Sequence, residues 1–225
     1  MSTDQPMRLG YLVPQFPGQT HIFFWREIAE LEARGVDVHL LSTQPPPSGL
    51  IAHDWSKDAI ARTTYLASKN PLALFNAAIR QSWSHFIKQI RRDGGAFAKD
   101  ILICLPAATR LLKYARAHKL DHIHVHSCAR AALIAAMARQ MGGPTYSITL
   151  HGPMSDYGVG QALKWRDAAF ATIITRKLEA EAHEELGDAI PKAIFIRPMG
   201  VDTDVLSRQT PYQPPKPDEP LRIFS

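Results

Sequence analysis

Three histidines, His122, His124 and His126, alternate along one short stretch, and His118 stands just upstream, in a chain that has ten histidines in all. On an extended strand such alternating side chains share one face. Three imidazoles on one face are potential zinc ligands. No Cys or carboxylate partners them locally, however, and positions spread along a strand rarely converge on one ion. Histidines hydrogen-bonded at a strand end are therefore the favoured reading, and no metal is expected. His126, the last of the three, is best placed to face a cleft. A second stretch, Thr149-Leu150-His151-Gly152-Pro153, closes another apolar run. Gly152 lets the backbone turn sharply or approach a ligand. His151 would then sit at a strand's mouth, where an imidazole can hydrogen-bond a substrate hydroxyl. Asp156 and Tyr157 follow in the same loop. A third stretch, Pro14 to Thr20, contains Gly18 and Gln19 and leads into a helix, whose free N–H groups can hold an anion. It has one glycine, so it is not the GxGxxG dinucleotide fingerprint, and this counts against a nicotinamide-dependent dehydrogenase. Met199-Gly200-Val201-Asp202 suits a tight turn with side-chain-to-backbone bonding. No Ser-His-Asp order, CxxC, HExxH or P-loop is present, and no cofactor is expected.

The elements that would carry these residues follow a βαβ rhythm. Met7–Val13 reads as a buried strand, broken by Pro14, Pro17 and Gly18. Thr20 is placed as the N-cap of a helix running to Arg34, with a stripe of Ile22, Trp25, Ile28, Ala29 and Leu31. Gly35 is the C-cap candidate, and Val36–Leu41 is the next strand. Thr43–Gly49, with its three prolines, is a loop. Thr63–Leu66 reads as a short strand. Pro71–Arg92 reads as a long helix, and Gly94-Gly95 separates it from a second one over about Phe97–His118. Strands at His122–His126, Thr145–Leu150, Ala171–Thr175 and Ala193–Ile196 alternate with helices at Ala129–Met141 and Arg176–Leu186. This rhythm implies an α/β, Rossmann-like domain with a largely parallel sheet and helices on both faces, over residues 1–206. Ser207–Pro220 holds five prolines in fourteen residues and reads as an extended linker. Residues 221–225 would be the first of a further domain.

Bulk properties bound the functional classes. The 225 residues are 45% hydrophobic and 21% charged, the usage of an ordinary globular protein. Lys and Arg number 26 against 21 Asp and Glu, a net charge of +5. That balance allows contact with phosphates or lipid headgroups without demanding nucleic acid, and no nucleic-acid partner is expected. Cys104 and Cys128 sit in apolar segments and read as buried thiols in a reducing compartment. The apolar runs fall far short of the ~20 residues a membrane span needs, and the N-terminus lacks a signal-peptide pattern. A cytoplasmic or membrane-peripheral location is expected. Leu72–Arg116 carries Arg80, Lys88, Arg91, Arg92, Lys99, Arg110 and Lys113 around apolar stripes, a pattern that could dock on an anionic membrane.

Taken in order, five stretches resemble the N-terminal half of GT-B glycosyltransferases of the family 4 type, in the branch found in exopolysaccharide and colanic-acid gene clusters. These are GYLVPQFPGQTHIFFWREIAELEARGVDVHLLS, DHIHVHSCARAALIAAMARQ, SITLHGPMSDY, AAFATIITRKLEAEAHEELG and IRPMGVDTDVL. The sequence departs from the family pattern at Gln19, at Ile174-Thr175-Arg176 and at Met199. The resemblance implies a retaining transferase that moves a sugar from a nucleotide-sugar to a saccharide or lipid-linked acceptor, without a metal, in cell-surface polysaccharide assembly. It implies that this half holds the acceptor, while the nucleotide is held mainly by a half that is not in this chain. By the same resemblance His151 is the catalytic candidate, near the transferred sugar. Gly18 would keep the first loop close to the donor phosphates, and Gln19 and Thr20 would contact them or the acceptor. His126, Gly152 and Asp156 complete the expected substrate-binding set. The alternative is a catalytically incomplete acceptor- or membrane-binding module, and the chain alone is expected to be inactive.

Overall fold

Short apolar runs closed by proline, glycine or polar residues become strands when a sheet can bury them. The computed structural model describes residues 5–47, 49, 53–67, 79, 81–214 and 220. It joins β1 (Arg8–Gln15), β2 (Asp37–Gln44), β3 (Thr64–Tyr65), β4 (His122–Val125), β5 (Thr145–Leu150), β6 (Ala171–Ile173) and β7 (Ile194–Ile196) into one sheet. The order is β3-β2-β1-β4-β5-β6-β7, and every neighbouring pair is parallel. The helices are α1 (Ile22–Ala33), α2 (Ser56–Arg62), α3 (Trp83–Ala117), α4 (Arg130–Gln140), α5 (Gln161–Arg166) and α6 (Arg176–Leu186). The chain winds one way from β1 to β3 and the other way from β4 to β7. The direction reverses between β1 and β4, where parallel sheets bind ligands. The fold is the expected Rossmann-like α/β arrangement.

Local chemistry explains most boundaries and corrects some. β5 and α6 occupy the residues expected of them. Gly35 adopts φ +83° after α1, while Val36 N donates to Leu31 O and Gly35 N to Glu32 O, closing the helix end. Thr20 does not cap α1. That helix starts at Ile22 behind His21, which makes no side-chain cap bond, and a turn closes instead by His21 N donating to Gly18 O at 3.0 Å. The expected separation at Gly94-Gly95 is a break inside α3, where Gly94 takes φ 69° and ψ −153°. The Asp93 carboxylate beside it accepts from Gln89 and from the backbone N–H of Gly160. α2 and α5 were not anticipated. The part of the expected Pro71–Arg92 helix over residues 71–78 and 80 lies outside the described residues. So do 215–219 and 221–225 of the expected linker and second domain. Residues 207–214 are exposed and without regular structure.

The two faces of the sheet are covered unequally. Leu12, Leu41, Ile123, Val125, Ile148, Leu150 and Ile173 point to one face and form the main core with α3, α4, α5 and α6. Residues 131–138 of α4 are all buried, and the five alanines among them let that helix sit close to its neighbours. Cys104 and Cys128 are buried free thiols in this layer. On the other face Tyr11, Val13, Val38 and Leu40 pack against Phe24 and Ile28 of α1 and Ala59 of α2. Beyond β1 this second face turns polar.

The alternating residues of β4 and β5 on that polar face pair across the register, His122 opposite Thr145 and His124 opposite Ser147. His122 bonds Thr145 through Nδ1 at 2.7 Å and Ser147 through Nε2 at 2.8 Å. His124 bonds Ser147 through Nδ1 at 2.6 Å and Thr149 through Nε2 at 2.8 Å. Phe170 stacks over both rings. The strand histidines are thus hydrogen-bonded to hydroxyls, as polar groups in a sheet interior must be. Burial lowers the His122 imidazole, and burial first, then the charges of His122 and His151, brings His124 from 6.5 down to about 3. The unfolded chain takes up these protons below about pH 6.5, and the folded chain refuses them until far lower pH. The stability is therefore complete above that pH and is lost as pH falls from 6.5 toward 3. By pH 4, His124 alone costs about 3 kcal/mol. Urea unfolding measured from pH 7 to 4 should show a falling midpoint. His124→Gln should be less stable at pH 7 yet show a flatter pH dependence; an equally steep fall would refute this origin of the acid sensitivity.

Candidate functional site

A cleft of about 670 Å³ opens at the carboxyl ends of the strands, on the face that, among the described residues, no helix covers beyond α1 and α2. Residues of α1, His126 and His151 after β4 and β5, Thr149, Thr172 and the segment Arg197–Asp202 line it. His126 continues the β4 pairing, its N–H donating to Leu12 O at 2.9 Å. This fixes its ring beside β1. The ring lies 4.3 Å from Tyr11 and 4.8 Å from Phe24, centroid to centroid. His126 Nδ1 is 3.3 Å from His151 Nε2, and Phe23 and Phe24 flank the His151 ring.

One carboxylate faces this pair. Glu27 of α1 accepts a hydrogen bond from Tyr11 Oη at 2.6 Å. The same oxygen, Oε2, lies 3.5 Å from His126 Nε2, an atom that is buried and has no full hydrogen bond. Burial raises the Glu27 carboxyl, partly offset by the Tyr11 hydrogen bond. Burial, then the Glu27 charge, raises the Tyr11 hydroxyl well above its usual range. His126 is held well below the ordinary imidazole range by burial first and then by neighbouring histidines, and His151 is lowered to about 4, mostly by burial. At neutral pH both imidazoles are uncharged, so each offers one donor and one acceptor nitrogen. Cationic Arg26, Arg34 and Arg197 and anionic Glu30 and Asp202 also line the cleft. Such a mixture of neutral imidazoles, hydroxyls and charges of both signs suits a polar ligand rich in hydroxyl groups.

The expected site residues are distributed as follows. His126 and His151 come together in the cleft. Gly18, Gln19 and Thr20 form the turn between β1 and α1, at the same end of the sheet but outside the cleft lining. There Gly18 lies against the His21 ring, with room for no Cβ, and His53 Nε2 donates to Gln19 O at 2.6 Å. Gly152 and Asp156 lie in the loop after β5 near the Tyr157 hydroxyl, and they too stand outside the lining. Met199–Asp202, read as a turn, does carry turn chemistry, with Asp202 Oδ1 accepting from Asp204 N and Val205 N, and it also forms one wall of the cleft. Sequence reasoning missed Tyr11 and Glu27. The signal was there for Glu27, an acidic residue three and four positions after Phe24 and Phe23, inside the apolar stripe of α1.

Glu27, His124 and His126 bring potential ligand atoms within 4.8 Å of one another. His124 has both ring nitrogens on hydroxyls, however. The cluster therefore offers two uncommitted ligand atoms, fewer than the three or four protein ligands of a zinc site.

No curated protein matches the chain in sequence. Among solved structures, the apo form of the lipopolysaccharide outer core galactosyltransferase WaaB is 13% identical with a TM-score of 0.57, covering 95% of this chain and 50% of that one. A UDP-N-acetylglucosamine 2-epimerase is also 13% identical, with a TM-score of 0.53, covering 85% of this chain and 48% of that one. The chain thus spans about half the length of each. At this identity the likeness speaks to the fold alone, a parallel sheet with helices on both faces. In sequence, the model of Glycosyltransferase Family 4 matches residues 22–205, from α1 through the wall of the cleft. By that match, which takes in most of its length, the chain belongs to Glycosyltransferase Family 4.

Proposed function

We propose that this chain is the acceptor-side half of a retaining sugar transferase of cell-surface polysaccharide assembly. The observation that carries the reading is the meeting of His126 and His151 in a hydroxyl-suited cleft at the sheet's switch point, within a chain of Glycosyltransferase Family 4. In this reading residues 1–206 bind the acceptor, a saccharide or a lipid-linked saccharide. Residues 207–220 are a linker, and 221–225 begin the half that holds the nucleotide-sugar. His151 is the catalytic residue, hydrogen-bonding the reacting sugar or acceptor hydroxyl through a neutral imidazole. Gly18, Gln19 and Thr20 sit where the donor phosphates would approach the start of α1. Gly152 and Asp156 shape the loop that carries His151. Catalysis needs both halves to hold the two substrates in attack geometry.

The same reading places the protein at the cytoplasmic membrane surface. Among the described residues no helix is long and apolar enough to cross a membrane. α3 instead exposes Leu102 at 62% and Ile103 at 46%, one turn from exposed Lys99. Lys88, Arg91, Arg92, Arg110 and Lys113 are exposed along the same helix. Exposed apolar side chains among cations fit an anionic headgroup layer.

Three outcomes follow. Titration calorimetry of the 225-residue chain with UDP- and GDP-sugars should give at most feeble heats; micromolar binding with turnover would overturn the division of labour between the halves. In the enzyme assembled with its nucleotide-binding half, His151→Ala should lower kcat about a hundredfold or more while moving Tm little; an unchanged rate would remove His151 from the chemistry. Co-sedimentation with anionic liposomes should be strong at low salt, weaken at high salt and drop in Leu102→Asp. Binding indifferent to both salt and the substitution would count against the membrane surface.

A further inference from the structure

We propose that Glu27 is a positioning residue that sets, through His126, the tautomer in which His151 meets the cleft. The consequence for a substrate hydroxyl rests on the function proposed above; the tautomers themselves do not. An ionised carboxylate can only accept hydrogen bonds. The Tyr11 hydroxyl already donates to Glu27 Oε2, and His126 Nε2 faces the same oxygen at 3.5 Å. A bare Nε2 there would set two acceptors against each other in a buried, weakly screened position, whereas an N–H is attracted. The proton of His126 therefore sits on Nε2, and its Nδ1 is a bare acceptor.

The next link follows from the first. His126 Nδ1 and His151 Nε2 lie 3.3 Å apart, a contact that is a hydrogen bond only when one of the two carries a proton. With His126 Nδ1 bare, the proton is on His151 Nε2. His151 is neutral, so its Nδ1 is left bare, ready to accept a hydrogen bond from a hydroxyl. The other ionisable groups packed around His126 are Tyr11, His124 and His21, and Arg26, Arg34, Arg197, Glu30 and Asp202 line the cleft beyond. His124 is committed to Ser147 and Thr149, and burial lowers His21 as well. Among the described residues Glu27 is the carboxylate in ion-pair contact with the imidazole pair, and it gives the series its direction. With a proton on Glu27, or with the carboxylate gone, that direction is no longer imposed.

The test uses this chain, labelled with nitrogen-15 in the imidazole rings, and two-bond proton–nitrogen correlation spectra at neutral pH. The wild type should show His126 and His151 each as a single Nε2–H tautomer. Glu27→Ala should lose that single tautomer at both residues, while the signals of His122 and His124 stay in place and report an intact sheet. Tyr11→Phe, which keeps the carboxylate, should retain the wild-type pattern. An Nδ1–H tautomer at either residue in the wild type would overturn the proposal, as would wild-type tautomers persisting in Glu27→Ala or vanishing in Tyr11→Phe. Should Glu27→Ala fail to fold, the wild-type and Tyr11→Phe spectra decide. No sugar transfer is measured, so a failure here leaves the proposed function standing, and the inactivity of His151→Ala would not rescue it.

Discussion

A parallel sheet has to be covered on both faces, and among the described residues the helices run out on one of them. α3, α4, α5 and α6 seal the first face with a continuous apolar core. On the second face α1 and α2 reach only as far as β1 and β2. Beyond that line the inward positions of β4, β5 and β6 are His, Ser and Thr. These residues cannot be left dry and unpaired, since an unsatisfied buried polar group costs about 1–3 kcal/mol. The register places each imidazole within reach of a hydroxyl on the neighbouring strand, and Phe170 lies over the pair. Near the carboxyl ends that covering stops, and the cleft begins where it stops.

The same shortage of cover explains the electrostatics. Imidazoles are usually within reach of protonation near neutrality. Here they are crowded together and buried, so each one's charge is disfavoured by desolvation and by the others. A pair of neutral rings is a different tool from a pair of cations. It can accept and donate hydrogen bonds without a net charge of its own, while the charges in the cleft lie on its arginines and carboxylates.

Much of this was legible in the chain. The alternation in HIHVHS and TYSITLH marked the strands, the shared face of the histidines and the two that end up in the cleft. The fold class followed from the βαβ rhythm, and Gly35 and Gly94 marked a helix end and a break. Other features were not legible, for physical reasons. Register is set by the whole sheet, so nothing local to β4 could name Ser147 and Thr149 as the partners of His124. Thr20 resembles a helix cap, but the turn held by Gly18 and His21 does that work. Met199–Asp202 is both a turn and a wall, and only the packing of the chain beyond β7 reveals the second role. Tyr11 looked like one more apolar residue of a buried strand, because its hydroxyl partner lies on another element.

The sheet also tapers. β1 and β2 are eight residues long, whereas the outermost strands β3 and β7 have two and three. Unpaired strand edges are templates on which other chains can add, and the hazard grows with the length of the edge. An edge of two or three residues offers few backbone groups, and at β7 the Arg197 guanidinium lies over the half-exposed Phe195 ring. Long strands are confined to the middle, where both edges are occupied. The geometry that gathers the candidate site's side chains at the centre therefore also leaves little at the described margins for intermolecular β-pairing.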